Sequence, residues 1–439
     1  MRPMIPTLII SIATFVLVTI SIIFIPSIKI GKIKLDLYWI ITLVGAIVLI
    51  SFSFAPIKEV FNQLTANNSI NPLKILVLFF SMTILSIYLD EIGLFKYLAI
   101  LATKRAKNSQ LSLFFILYTL TSILTIFTSN DIVILTLTPF ICFFAKNAKI
   151  NPLPYLIAEF AAANTWSMMF IIGNPTNIYL ATSMGIGFVD YFKVMFLPTI
   201  FAGVTEVVII YFVFRKHLKN PISISNEKYH LESILDLWVG VSILAVCLIF
   251  LVISSYINLE MWIVSLACAG VLLLIALSIR IITRKNWHYI TGSLKRLPYP
   301  LIPFVLSMFV IVVALNYQGI SNEIGKFLNQ GSPIWVYGYT SLLSSNLINN
   351  IPMSILFSNL PVGLAEAEYI KAIYASIIGS NIGAFLTPIG ALAGIMFSSL
   401  LNKYEVKYSF IDFMKYGVII AIPTASMALL GLFLITLSI

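Results

Sequence analysis

Ten stretches of this 439-residue chain run apolar for about the thickness of a bilayer, near 4–25, 37–54, 73–89, 152–183, 197–215, 236–256, 261–282, 299–315, 368–398 and 416–438. Nothing else in the sequence restricts the fold so strongly. A span of about 20 apolar residues is long enough to cross roughly 30 Å of hydrocarbon as a helix. With 60% hydrophobic and only 10% charged residues, the chain lacks the polar surface that a soluble domain of this length needs. The expected class is an all-α polytopic membrane protein. The first stretch has no small-residue cleavage site, so it reads as a retained span rather than a leader.

Two more apolar segments, 110–146 and 333–360, are each interrupted by polar residues in the middle. Read as re-entrant hairpins, they leave about ten true spans. That layout puts 29–36, 90–109, 146–151, 215–236, 280–297 and 402–415 on one side, together with 21 of the 27 Lys and Arg residues. The other side holds Arg2, Lys58, Lys74, Lys193, Lys326 and Lys371. The lysine-rich side is then cytoplasmic, both termini lie outside, and the plasma membrane is the expected location. The net charge of +10 is accounted for by this orientation, so it does not call for a nucleic-acid partner.

The sequence also carries a spaced duplication. Ser129–Asn130 recurs as Ser345–Asn346, 216 residues on, and Asn164 precedes Gly173 by the same nine residues that separate Asn381 from Gly390. Two halves are expected, 1–216 and 236–439, joined by a cytoplasmic linker at 217–235. Each holds a hairpin (110–146 or 333–360) and a broken helix (152–183 or 368–398), and the two hairpins enter from opposite faces. Inverted repeats with broken helices are an architecture of secondary transporters, whose sites lie where the repeats meet.

The first break reads GNPTN, from Gly173 through Asn174, Thr176 and Asn177. Backbone freed by such a break must be satisfied inside the protein or by a cavity, because lipid offers no partner. Freed N–H groups favour an anion, whereas freed carbonyls and amide oxygens favour a cation. A proline kink would break the helix as well, but it has no use for two asparagines. The second break, with Thr387, Pro388 and Gly390, is plainer. At the hairpin tips, Thr128–Ser129–Asn130–Asp131 and Ser344–Ser345–Asn346, running on to Asn349–Asn350, could cap the next helix or face a ligand.

This set of motifs resembles the ion transporter superfamily, in its arsenite permease (ArsB) and citrate-transporter-like branch, over nearly the whole chain. The resemblance implies that substrate and coupling ions bind between the two tips and the two breaks. Ser129, Asn130, Gly173, Asn174 and Asn177 would form one half-site, and Ser345, Asn346, Thr387 and Pro388 the other. Dicarboxylate members carry Ser-Asn-Thr at both tips, whereas this chain has Asp131 and Leu347 in third place. The departure leans towards the arsenite branch, with room for a homodimer and for a soluble ATPase partner.

Three carboxylates fall inside the apolar segments, Asp131, Glu159 and Glu206, and each is a candidate for coupling to a proton or sodium gradient. No basic residue is expected at depth, which favours a neutral or weakly charged substrate such as arsenite or antimonite. A sodium-coupled di- or tricarboxylate transporter and a sodium/proton antiporter remain the alternatives. Cys142, Cys247 and Cys268 stand singly in apolar runs, and His217, His230 and His288 fall in loops, so no metal site, disulfide framework or cofactor is expected. With no HExxH, GxSxG or GxxxxGK[ST] pattern, neither an enzyme nor an ATP-binding chain is indicated.

Overall fold

The structure is a computed structural model that describes residues 4–25, 27–30, 33–66, 71–106, 109–222, 233–257, 259–284 and 287–437. Arg2, Lys32, Lys107, Lys228 and Lys285 of the charge tally, His230 and most of the 217–235 linker lie outside the described residues.

A backbone in lipid can satisfy its amides only internally, and this one does so almost entirely with helices. Before the linker these are α1 (Met4–Phe24), α2 (Leu37–Ser51), α3 (Ile57–Thr65), α4 (Pro72–Glu91), α5 (Leu94–Arg105), α6 (Gln110–Phe127), α7 (Asn130–Asn147), α8 (Leu153–Trp166), α9 (Pro175–Ser183) and α10 (Phe188–Phe214). After it come α11 (Ile234–Ile257), α12 (Met261–Thr283), α13 (His288–Lys295), α14 (Leu301–Tyr317), α15 (Ile320–Leu328), α16 (Pro333–Ile348), α17 (Asn350–Phe357), α18 (Glu366–Gly383), α19 (Leu392–Lys403) and α20 (Phe410–Leu437). Each series closes with a pair of helices around a break and then one long helix, α10 of 27 residues or α20 of 28.

Among the described residues, seven helices are long and apolar enough to cross a membrane, or eight if α14 and α15, bent by 80°, count as one span. Of the ten expected spans, α2 is short, α8–α9 and α18–α19 are broken and α14 passes only together with α15, while α6 is added. The 18-residue α6 passes the length test by itself, so arm length does not decide whether α6–α7 re-enters or crosses.

The outer faces of these helices carry large exposed apolar side chains, among them Trp238, Leu274, Ile282 and Ile411. Such a surface would aggregate in water; facing lipid, it is stable. The helices pack in two sets. One joins α1, α2, α4, α11, α12, α13 and α14, and the other joins α6 to α10 with α16 to α20. The sets meet where α9 and α7 touch α4 and where α17 touches α14, so both helix breaks are placed well inside the protein.

Two features differ from the sequence reading. Part of segment 29–36, expected as a loop, belongs to an antiparallel pair, β1 (Ser27–Ile30) with β2 (Ile33–Asp36), in register Ser27↔Asp36. Its residues alternate apolar and polar with a strand's period, a signal too short to stand out beside the spans. Arg280 and Asp236, placed at the edges of basic loops, are buried inside α12 and α11 and pair with each other. Tyr88 Oη donates to Asp236 Oδ1 (3.0 Å), and the guanidinium lies 4.7 Å from the Tyr289 ring. A buried charge is tolerable only with such partners, and the partners come from other helices.

Candidate functional site

α8 stops at Trp166, a single 3-10 turn follows at Ile171–Gly173, and α9 begins at Pro175. Proline at the first helical position loses no bond, because that N–H has no partner in any helix. Asn174, in extended conformation, caps α9 by accepting from Thr176 N at 3.1 Å and Thr176 Oγ1 at 3.0 Å. Asn177 Nδ2 donates to Ser167 O at 2.8 Å, satisfying a carbonyl freed at the end of α8. At Gly173 a Cβ would sit 2.2 Å from Ser167 O, so only glycine lets the chain double back here.

The second break is built differently. α18 ends at Gly383 and α19 starts at Leu392, with Thr387, Pro388 and Gly390 between them. Here the partners come from α16 and the turn into α17. Asn346 Nδ2 donates to Gly383 O at 2.9 Å, and Asn346 Oδ1 accepts from Thr387 Oγ1 at 2.6 Å. Asn349 Nδ2 donates to Ile389 O, and Asn350 N to Gly390 O, both at 3.0 Å. Gly390 leaves no room for a side chain, since its Cβ would lie 2.6 Å from Gly383 O.

The tips need two corrections. Ser345 and Asn346 are not at the second tip but in the last turns of α16, and the chain turns at Asn349, whose φ is +70°. Asn349 Oδ1 also accepts from Ile351 N at 3.3 Å. At the first tip Ser129 precedes α7 but makes no side-chain cap bond. Its Oγ and Asn130 Oδ1 are buried without a partner among the described residues, while Asn130 Nδ2 donates to Asn164 Oδ1 at 3.2 Å. Asp131, in the first turn of α7, is half-buried and faces a cavity.

Asn381 was not singled out as a site residue, yet it ties the two breaks together. Fully buried in α18, its Oδ1 accepts from Ser167 Oγ and Asn174 Nδ2, both at 3.0 Å. Its Nδ2 donates to Asn177 Oδ1 at 2.6 Å and to Ile377 O at 2.8 Å. The nine-residue register in the sequence marked Asn164 and Asn381, and both prove to be contact residues. Consequently Asn174 and Asn177 are occupied by α9, α8 and Asn381, whereas Ser129 and Asn130 keep unused hydrogen-bonding capacity.

The cavity beside Asp131 has a volume of about 440 Å³. Ser129, Asp131 and Leu135 line it from α7, with Thr83, Tyr38, Asp36, Arg296, Met396 and Ser399 around them. Arg296 is already engaged, bonding Asp90 and Glu91 at 2.7 Å each. Asp90 in turn accepts from Thr136 of α7 at 2.7 Å, which links the cavity's arginine to the arm that carries Asp131.

Glu159 is not exposed. It is buried between α7 and α8, where Oε2 accepts from Thr138 at 3.0 Å and Oε1 has no partner. Glu206 is also fully buried; Oε2 accepts from Thr165 Oγ1 at 2.5 Å. Tyr118 Oη lies 2.7 Å from both Glu206 Oε1 and Gly203 O, and Trp166 Nε1 donates to it at 3.1 Å. One phenolic proton cannot serve two acceptors, so a proton on Glu206, donated to Tyr118 Oη, completes the set. Thr165 and Trp166 are the last residues of α8, which places this network directly against the first break.

Residues 22–379 match the model of a family described as citrate transporter. The arsenical pump membrane protein of Escherichia coli (strain K12) is 27% identical over 374 residues, covering 81% of this chain and 84% of that one. The putative arsenical pump membrane protein of Bacillus subtilis (strain 168) is 24% identical over 361 residues, 77% of this chain and 82% of its own. Among solved structures, the Alcanivorax borkumensis YdaH transporter superposes with a TM-score of 0.52 at 14% identity, over 99% of this chain and 98% of that one. Neisseria gonorrhoeae MtrF superposes with a TM-score of 0.50 at 13% identity, over 98% and 95%. At such identities the structural likeness speaks for the fold alone.

Proposed function

Because this chain belongs to the citrate transporter family of membrane transporters, we propose that it is a secondary active permease for arsenite or antimonite, driven by a proton or sodium gradient. One observation carries the reading. The cavity that reaches Ser129 and Asp131 is lined by the charged residues Asp36, Asp131 and Arg296, and its arginine is held by Asp90 and Glu91. A multiply charged carboxylate would find no uncommitted cation there, whereas a neutral hydroxy acid needs only hydroxyl and amide partners. The relatives named arsenical pumps support the same substrate class.

In this reading the cavity opens to the cytoplasm, since Ser27, Asp36 and Arg296 border the lysine-rich segments 29–36 and 280–297. Substrate meets the unpartnered Ser129 Oγ and Asn130 Oδ1, and Asp131 carries the coupling proton or sodium ion. The halves 1–216 and 236–439 act as inverted repeats in the plasma membrane, with Asn346 and Thr387 opposite the first tip. The energy comes from the ion gradient, or from a separate soluble ATPase chain.

A carboxylate substrate is the second reading. It is favoured by Arg296 in the cavity wall, which would become an anion site on releasing one of its two acidic partners. Uptake into everted vesicles separates the possibilities. Accumulation of arsenite driven by a proton gradient supports the proposal; sodium-driven uptake of succinate or citrate replaces it with the second reading. Dissipation of a proton gradient by sodium alone would mark an antiporter.

A further inference from the structure

A second cavity, of about 320 Å³, lies towards the opposite end of α4 from the one beside Asp131. Lys74 and Leu78 of α4 line it with Glu260 and Trp262 at the start of α12, and Thr182 of α9 and Asp190 of α10 complete the wall. Both cavities therefore sit in the seam between the two helix sets. Between them is a small apolar pocket of about 20 Å³, room for little more than one water. It shares Ile75 with the second cavity, and Phe79 and Leu301 with the first. Ile75 and Phe79 are one turn apart on α4, about 6 Å at 1.5 Å per residue. Pro175 at the start of α9 and Ile351 in the first turn of α17 also line this seal, so it adjoins the first break and the turn into α17.

We propose that the second cavity is the far half of the transport path, a release site that holds a small uncharged hydroxy compound once it has passed the apolar seal. Among the described residues, none that lines the seal is charged. An ion would have to shed its water there at high cost, whereas a neutral hydroxy compound loses far less. The second cavity suits the same chemistry. Glu260 pairs with the Lys74 ammonium at 2.7 Å and accepts from Trp262 Nε1 at 2.6 Å, and Asp190 is loosely paired with Lys193 at 3.3 Å. A carboxylate entering here would meet two carboxylates and a lysine already engaged. The O–H groups of a hydroxy compound find acceptors in both acids.

Lys74 and Lys193 fall on the side that holds few basic residues, so this cavity faces outward while the one beside Asp131 faces the cytoplasm. The chemical class of the ligand rests on the arsenite reading. The continuity of the path rests only on the lining residues that neighbouring cavities share.

The membrane-impermeant thiol reagent 2-sulfonatoethyl methanethiosulfonate is the probe, with treated wild type accounting for Cys142, Cys247 and Cys268. Ile186→Cys in the second cavity should react only from the outer face, and Ser399→Cys in the first only from the cytoplasmic face. Modified from outside before the vesicles are everted, Ile186→Cys should lose arsenite transport, and dithiothreitol followed by washing should restore it. The same adduct at Lys193→Cys, exposed and off the cavity wall, should leave transport unchanged. Normal transport by fully modified Ile186→Cys overturns the proposal, as does equal loss in Lys193→Cys or reaction of both cavities from one face. Leu259→Cys on the same wall takes its place if Ile186→Cys misfolds, and failure of both to react from outside also overturns the proposal. If citrate is carried and arsenite is not, the neutral class of ligand fails, and the same plug read on citrate uptake decides the path.

Discussion

Replacing Asn381 by alanine tests whether the two helix breaks are one structure. The wild-type amide makes four hydrogen bonds while fully buried, and two of its partners have no other bond. Alanine would strand Asn174 Nδ2 and Asn177 Oδ1, whereas Ser167 Oγ keeps Asn164 O at 2.7 Å. A buried polar group left without a partner costs about 1–3 kcal/mol, so two cost roughly 2–6 kcal/mol in total. Interhelical hydrogen bonds in membranes measure about 0.6 kcal/mol on average and reach about 1.7 kcal/mol in double-mutant cycles. The cycle of Asn177→Ala with Asn381→Ala should therefore give a coupling of about 1 kcal/mol between residues 204 apart in sequence. Thermal unfolding in detergent, with the single and double variants side by side, supplies the four corners. Transport should fall in Asn381→Ala even where the protein remains folded, because α9 loses its registry with α18. If the cycle closes at zero and Asn381→Ala transports normally, the cross-half amide cluster has no role and the argument from it fails.

Three other predictions follow from the same geometry. Asp131 lies in the first turn of α7 and faces the cavity, so Asp131→Asn should fold, retain substrate exchange and lose gradient-driven accumulation together with its pH dependence; unchanged accumulation in vesicles would assign coupling elsewhere. Glu206→Gln keeps an acceptor for Thr165 and a donor for Tyr118 and should stay close to wild type in unfolding temperature. Glu206→Ala strands Thr165 Oγ1 and should lose about 1–3 kcal/mol in the same melts; equal stability of the two variants would contradict the proton placement. Cysteines placed at Arg105 and Lys146 should label from one side of the membrane, and a cysteine placed at Thr128, between α6 and α7, should label from the opposite side only if α6 is an ordinary span.

Much of the fold was legible because lipid makes secondary structure a local matter. The apolar windows located the helices, and Gly173–Pro175 and Thr387–Gly390 located both breaks, since glycine and proline act on their own backbone. The second tip was read as a run from Ser344 to Asn350 because Ser344–Ser345–Asn346 and Asn349–Asn350 are equally polar in one dimension. Only the positive φ of Asn349 shows where the chain turns. The β1–β2 pair went unread beneath far stronger apolar signals, and the Asp236–Arg280 pair because its two members lie on separate helices.

By itself the sequence determined that the chain is a helical membrane protein with matched breaks, because hydrocarbon leaves a backbone no partner except itself. It could not determine what each buried amide is for. Asn130, Asn174, Asn177, Asn346 and Asn381 are chemically the same group, able to serve a ligand or a freed carbonyl with equal ease. The tertiary structure decided between those uses by supplying partners about 200 residues away for Asn174 and Asn177, and leaving Asn130 Oδ1 without one. A hydrogen bond is a contact in space, and no spacing along the chain fixes which distant helix arrives to make it.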